Sequence, residues 1–135
     1  MKNKEPIMDK EKQAASWHWK IQQWKLKFQL MDDEIVFIKR LLDSNAFKDN
    51  IPNLFERLQD FKTRLQIIDK RNAAIRAQIS LHENNLGSEL NVGDNSIGAD
   101  DIKKSNSLQL KVDECQGDYQ DLKSEIFNYT GSLLI

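Results

Sequence analysis

Apolar residues recur along this chain at alternating steps of three and four, the spacing that lines up one face of an α-helix and, when sustained, makes a coiled-coil seam. The first run is Ala14, Trp17, Ile21, Trp24, Phe28, Met31, Ile35, Ile38 and Leu42. The second is Ile51, Leu54, Leu58, Phe61, Leu65, Ile68, Asn72, Ile75, Ile79, His82 and Leu86. Ser105, Leu108, Val112, Cys115, Tyr119, Leu122, Ile126, Tyr129 and Leu133 make the third. These runs predict helices over about 8–46, 51–86 and 99–131, preceded by a charged arm.

Between the first two runs, Asp43, Ser44, Asn45, Asp49 and Asn50 lead into Pro52, and Asn53 and Glu56 have the spacing of a capping box. This predicts a tight turn and an antiparallel neighbour. Gly87, Gly93 and Gly98 with Asn91, Asp94, Asn95 and Ser96 predict a flexible connector over about 87–98. The expected fold class is all-α: one domain forming an elongated, antiparallel (up-down-up) three-helix bundle with coiled-coil packing.

The first helix carries a second stripe. Trp19, Leu26, Leu30 and Phe37 fall within roughly 40° of one another at ~100° per residue, nearly opposite the core seam. An ordinary surface helix has one apolar face, so this one is either covered by another helix of the chain or used as an interface. Ile67, Ala74 and Leu81 form a smaller outer stripe on the second helix. Trp19, Leu26, Leu30, Phe37, Ile67 and Leu81 are therefore the candidate interface. Reflection about a tight first turn sets residue i of the first helix near 97 − i of the second, which places Trp24 by Asn72 and His18 by Ile79 and His82.

Asn72 and His82 are polar members of an apolar seam and are expected to be core polar residues that fix register; the Trp24 indole is the expected partner of Asn72. Two clustered histidines would lack further zinc ligands beyond Glu11 and Glu83, so a hydrogen-bonded pair is expected and no metal site. Cys115 sits where a thiol acts as a small hydrophobe, with no basic residue in its own turn to activate it. The segment Asp94–Asp100 begins like a calcium loop, but Ala99 stands at its sixth position and Ser105 at its twelfth. Asp32, Asp33 and Glu34 fan around the helix and read as a solvated face. No P-loop, nucleophile or general base converges anywhere, so no catalytic residue, cofactor or enzyme activity is expected.

Composition narrows the function class. The net charge is −1 over 135 residues, so the whole molecule is no evident polyanion binder. Charge is uneven, at sixteen basic against twelve acidic residues through Leu86 and four against nine after it. An acidic third helix should pair with two mildly basic ones. One cysteine makes no internal disulfide, and no apolar run resembles a leader or a membrane span, so the cytoplasm is the expected compartment. The resulting expectation is a non-enzymatic interaction or scaffold module, its partner a second copy or another helical protein. The alternative is a peripheral binder of an anionic membrane surface or nucleic acid, using Lys10, Lys12, Lys20, Lys25 and Lys27 beside Trp17, Trp19 and Trp24. Neither membrane nor nucleic acid is the expected partner, because Trp17 and Trp24 belong to the core seam.

Overall fold

Helices this long are stable in water only when one face is packed along their length, and the three seams meet that need by burying one another. A computed structural model describes the backbone of residues 6–91 and 98–135 and the side chains of residues 12–87 and 98–135. It contains α1 (Pro6–Leu42), α2 (Leu54–Asn91) and α3 (Ala99–Thr130), packed as an all-α three-helix bundle. The core is the predicted set: from Trp17 to Leu42, from Leu58 to Leu86 and from Leu108 to Ile126, every apolar seam member is buried. Asn72, His82 and Ser105 are buried with them.

The first turn differs from expectation. Helix α1 stops at Leu42 and α2 starts at Leu54, so residues 43–53 form an eleven-residue connector and not a tight turn. Ser44 helps end α1 by donating its hydroxyl to the Leu41 carbonyl at 2.7 Å. Asn50 and Asn53 adopt positive φ values of 64° and 57°, which asparagine tolerates better than most residues. That conformation takes Asn53 out of the extended backbone of an N-cap. The expected capping box with Glu56 is not formed; only the Asn53 carbonyl serves the helix, accepting from the Arg57 N–H at 3.0 Å.

The connector shifts the register between α1 and α2. Gln22 with Glu83, Gln29 with Arg76 and Lys39 with Gln66 pair residues whose numbers add to 105. Lys25 with Glu83, Asp32 with Arg76 and Lys39 with Asp69 add to 108. The reflection 97 − i is therefore wrong by about two to three helical turns. The first turns of α2 reach past the end of α1, and the chain climbs back along them. The C-terminal segment closes that end: Phe47 bridges Leu134 in an isolated antiparallel pair, Lys48 N–H donates to Leu133 at 2.8 Å and Ile135 N–H to Ala46 at 2.8 Å.

Helix α2 also runs past Gly87 to Asn91, where a connector was expected to have begun. A single glycine costs a helix about 1 kcal/mol, less than the anchoring given by buried Leu86 beside it. Residues 92–97, the remainder of that connector and most of the calcium-loop segment, lie outside the described residues. A Cβ added at Gly87 or Gly117 would meet no atom within 4 Å. Gly87→Ala and Gly117→Ala should therefore each raise the unfolding free energy by about 0.5–1 kcal/mol. Urea titration checks this; a loss at either site would mean that position is not helical and open.

Candidate interaction surface

The outer stripe of α1 is uncovered within the chain. Trp19, Leu26 and Phe37 are each 63% exposed and Leu30 is 58% exposed. They stay exposed because α2 and α3 both pack on the opposite side of α1, against the core seam. Three ion pairs, Lys25–Glu83, Asp32–Arg76 and Lys39–Asp69, run along the junction of α1 with α2. On the other flank, Glu34 reaches α3. Its carboxylate accepts from the Tyr119 hydroxyl at 2.7 Å and from Lys123 Nζ at 3.0 Å, and the tyrosine hydrogen bond chiefly holds its pKa below the usual glutamate value.

Ile67 and Leu81 are equally exposed but lie elsewhere. Leu81 lines a groove between α2 and α3 with Gln78, Lys104 and Lys111, and Ile67 lines another with Arg64, Arg71 and Asp118. The ion-pair row separates them from the α1 stripe, so the two stripes do not form one surface. An apolar residue outside the third seam does join the α1 patch: Phe127 of α3, half-exposed, shares a groove with Phe37 and Lys123. Its signal was only its own apolarity, because recognising the neighbour required knowing that α1 and α3 run side by side in this register.

The polar core residues form different pairs from those expected. Trp24 donates its indole N–H to Gln109 Oε1 at 3.0 Å. Asn72 instead directs Nδ2 at Met31 Sδ, 3.9 Å away, and its Oδ1 has no protein partner. The register shift explains the change, since Trp24 is level with His82 and not with Asn72. His18 and His82 do not form a pair. His18 is exposed and lines a groove with Glu83 and Gly87, while His82 Nε2 lies 2.6 Å from Ser105 Oγ inside the bundle.

His82, Ser105 and the buried Asp101 one turn earlier make a histidine, serine and carboxylate cluster that the sequence reading did not assemble. His82 Nδ1 makes no hydrogen bond to the carboxylate, Asp101 Oδ2 accepts from the Gly98 N–H, and Ser105 is buried in the second turn of α3, past the free N–H groups of the helix start. Burial pushes the His82 pKa down, against an upward pull from Asp101 and with a smaller push from Lys104. An unfolded imidazole takes up a proton near pH ~6.5 and the folded ring resists it. The contribution of His82 is therefore whole above that pH and falls away below it. Denaturant midpoints should fall between about pH 7.5 and pH 5.5. In His82→Gln that decline should be weaker; a parent protein with no decline would contradict the assignment.

Cys115 is free and buried; burial raises its pKa, and Arg71 of α2, not a residue of its own turn, lowers it less. The acidic triplet is more than a solvated face, since Asp32 reaches α2, Glu34 reaches α3 and Asp33 accepts from Gln29 on α1 itself. The expected charge pairing of α3 is present: Arg64 holds Glu125 through two hydrogen bonds of 2.9 and 2.7 Å, and Arg71 holds Asp118 at 2.8 Å. Among the described residues no three metal-ligating side chains cluster, and the Glu11 side chain lies outside them. Comparison with protein-family models, curated proteins and solved structures finds no significant match to this chain.

Proposed function

We propose that this chain is a non-enzymatic helical interaction module that self-associates through the outer face of α1. The observation that carries the reading is the exposure of Trp19, Leu26, Leu30 and Phe37 in one row on the side of α1 opposite its buried core seam. Scattered apolar residues on a surface are ordinary; an aligned row of two aromatics and two leucines spanning five turns is the kind of patch that proteins bury against a partner. The polar residues elsewhere support it indirectly, because the groove of α2 and α3 at Ile67 is rimmed by ion pairs internal to the bundle. A cytoplasmic setting is part of the proposal, in keeping with a free cysteine.

Light scattering across a concentration series tests the reading. The mass should rise from 15.8 kDa toward twice that value as concentration increases. A concentration-independent monomer that sediments with anionic vesicles, and is released by salt, would replace it with the peripheral-binding alternative. That alternative has less to stand on, since Trp17 and Trp24 are buried and Lys25 is held by Glu83.

A further inference from the structure

We infer that the face of α1 pairs with the same face of a second copy in antiparallel orientation, about a two-fold axis passing near residue 28. This rests on the self-association reading and adds the geometry of the pair. On the side of α1 opposite the core, Ser16, Trp19, Gln23, Leu26, Leu30, Asp33, Phe37 and Arg40 follow one another in steps of three and four. They form a second seam of coiled-coil period, of which only the apolar members were evident as a stripe.

A symmetric dimer requires a patch complementary to itself, residue i meeting j wherever j meets i. Any seam of this period can be reflected onto itself, so spacing alone decides nothing. The residue types decide. Reflection of i onto 56 − i sets Trp19 on Phe37, Leu26 on Leu30, Gln23 on Asp33 and Ser16 on Arg40. Every layer then joins apolar with apolar, or an amide or hydroxyl with a charge it can hydrogen-bond.

The neighbouring registers fail. Reflection onto 63 − i sets Leu30 on Asp33 and leaves Trp19 beside Ser44, beyond the end of the helix. Reflection onto 49 − i sets Leu26 on Gln23 and Phe37 on Lys12. A parallel pair stacks Asp33 on Asp33 and Arg40 on Arg40, two like-charge layers in one seam.

Two further features suit the antiparallel register. Lys20 of one copy comes within about two residues, roughly 3 Å along the axis, of Glu34 on the same flank of the other. The indole of Trp19 in the second copy arrives over Phe37, at the groove formed with Phe127 and Lys123, where two aromatic rings and a cation receive it. Lys27 meets Lys27 of the second copy near the axis, outside the seam, and Arg40 comes within about one turn of Lys12 and Lys20 at the seam's end, so like charges approach at the axis and at the two ends.

Dipolar spectroscopy on spin-labelled single-cysteine variants tests this, with Cys115 buried and out of reach of the label. Labels on Ala15→Cys lie on the flank of the seam, 26 residues apart along the paired helices and so about 39 Å apart at 1.5 Å per residue. Labels on Gln29→Cys lie beside the axis and should give a distance of about 10–20 Å, set by helix spacing and label length. Long for Ala15 and short for Gln29 supports the inference. Short distances at both positions mean a parallel pair and overturn the orientation while leaving self-association standing. No dipolar signal at either position, together with a monomeric mass, overturns both.

Discussion

Trp24→Ala should lower the unfolding free energy by about 3–5 kcal/mol, the largest effect expected of any single core substitution on α1. Its ring is almost wholly buried and its N–H is held by Gln109 of α3. Truncation therefore removes apolar area, opens a cavity along α1 and breaks one of the few hydrogen bonds tying α1 directly to α3. Against a total of about 5–15 kcal/mol for a domain of this kind, that is a large share. Trp24→Phe separates the causes. It keeps most of the buried ring and loses the hydrogen bond, a contribution of about 1 kcal/mol, so its cost should be well below that of alanine. Equal costs for the two variants in urea titration would show that the indole hydrogen bond, not ring burial, dominates at this position.

The helices were legible in the sequence because the three seams are nearly unbroken, and burial of a heptad face is a property that each helix carries by itself. Fold class, core membership and the burial of Asn72 and His82 all follow from that local periodicity. What was not legible is relative position along the axis. Register depends on where a helix starts and on the path between helices; Ser44, Asn50 and Asn53 marked a turn in the sequence, but not the eleven-residue path that they support. Every pairing that relied on the assumed turn was displaced with it: Trp24 with Asn72, and His18 with His82. The pairs that replaced them, Trp24 with Gln109, Asn72 with Met31 and His82 with Ser105, join residues 23 to 85 positions apart, whose meeting depends on register. Helix α2 continued through Gly87 because a glycine with no competing turn costs less than the packing around it supplies.

For the candidate surface, the sequence located the α1 stripe, and the geometry set Phe127 beside it and Ile67 and Leu81 on grooves of α2 and α3. Those changes also follow from placement. Only the bundle arrangement says which grooves a residue on the outer side of α2 lines, and Ile67 lines two.

The second large effect concerns association. Leu26→Glu sets a carboxylate in the middle of the apolar row, where Leu30 of the second copy would otherwise cover it. A buried interface anchor contributes roughly 2 kcal/mol, and symmetry places the change in both copies. At about 1.4 kcal/mol per tenfold, the dimer should weaken by roughly a thousandfold. The fold itself should be untouched, since Leu26 makes no contribution to the core; surface changes of this sort usually shift stability by no more than about 0.5 kcal/mol. Leu110→Glu is the matched control, because Leu110 is as exposed as Leu26 but lies on α3, outside the proposed seam.

Sedimentation equilibrium on the parent chain, Leu26→Glu and Leu110→Glu at one concentration is the most direct test of the account. It predicts a mass near twice 15.8 kDa for the parent and for Leu110→Glu, and a mass near 15.8 kDa for Leu26→Glu. A parent that remains at the monomer mass, or a Leu26→Glu variant as heavy as the parent, would contradict it.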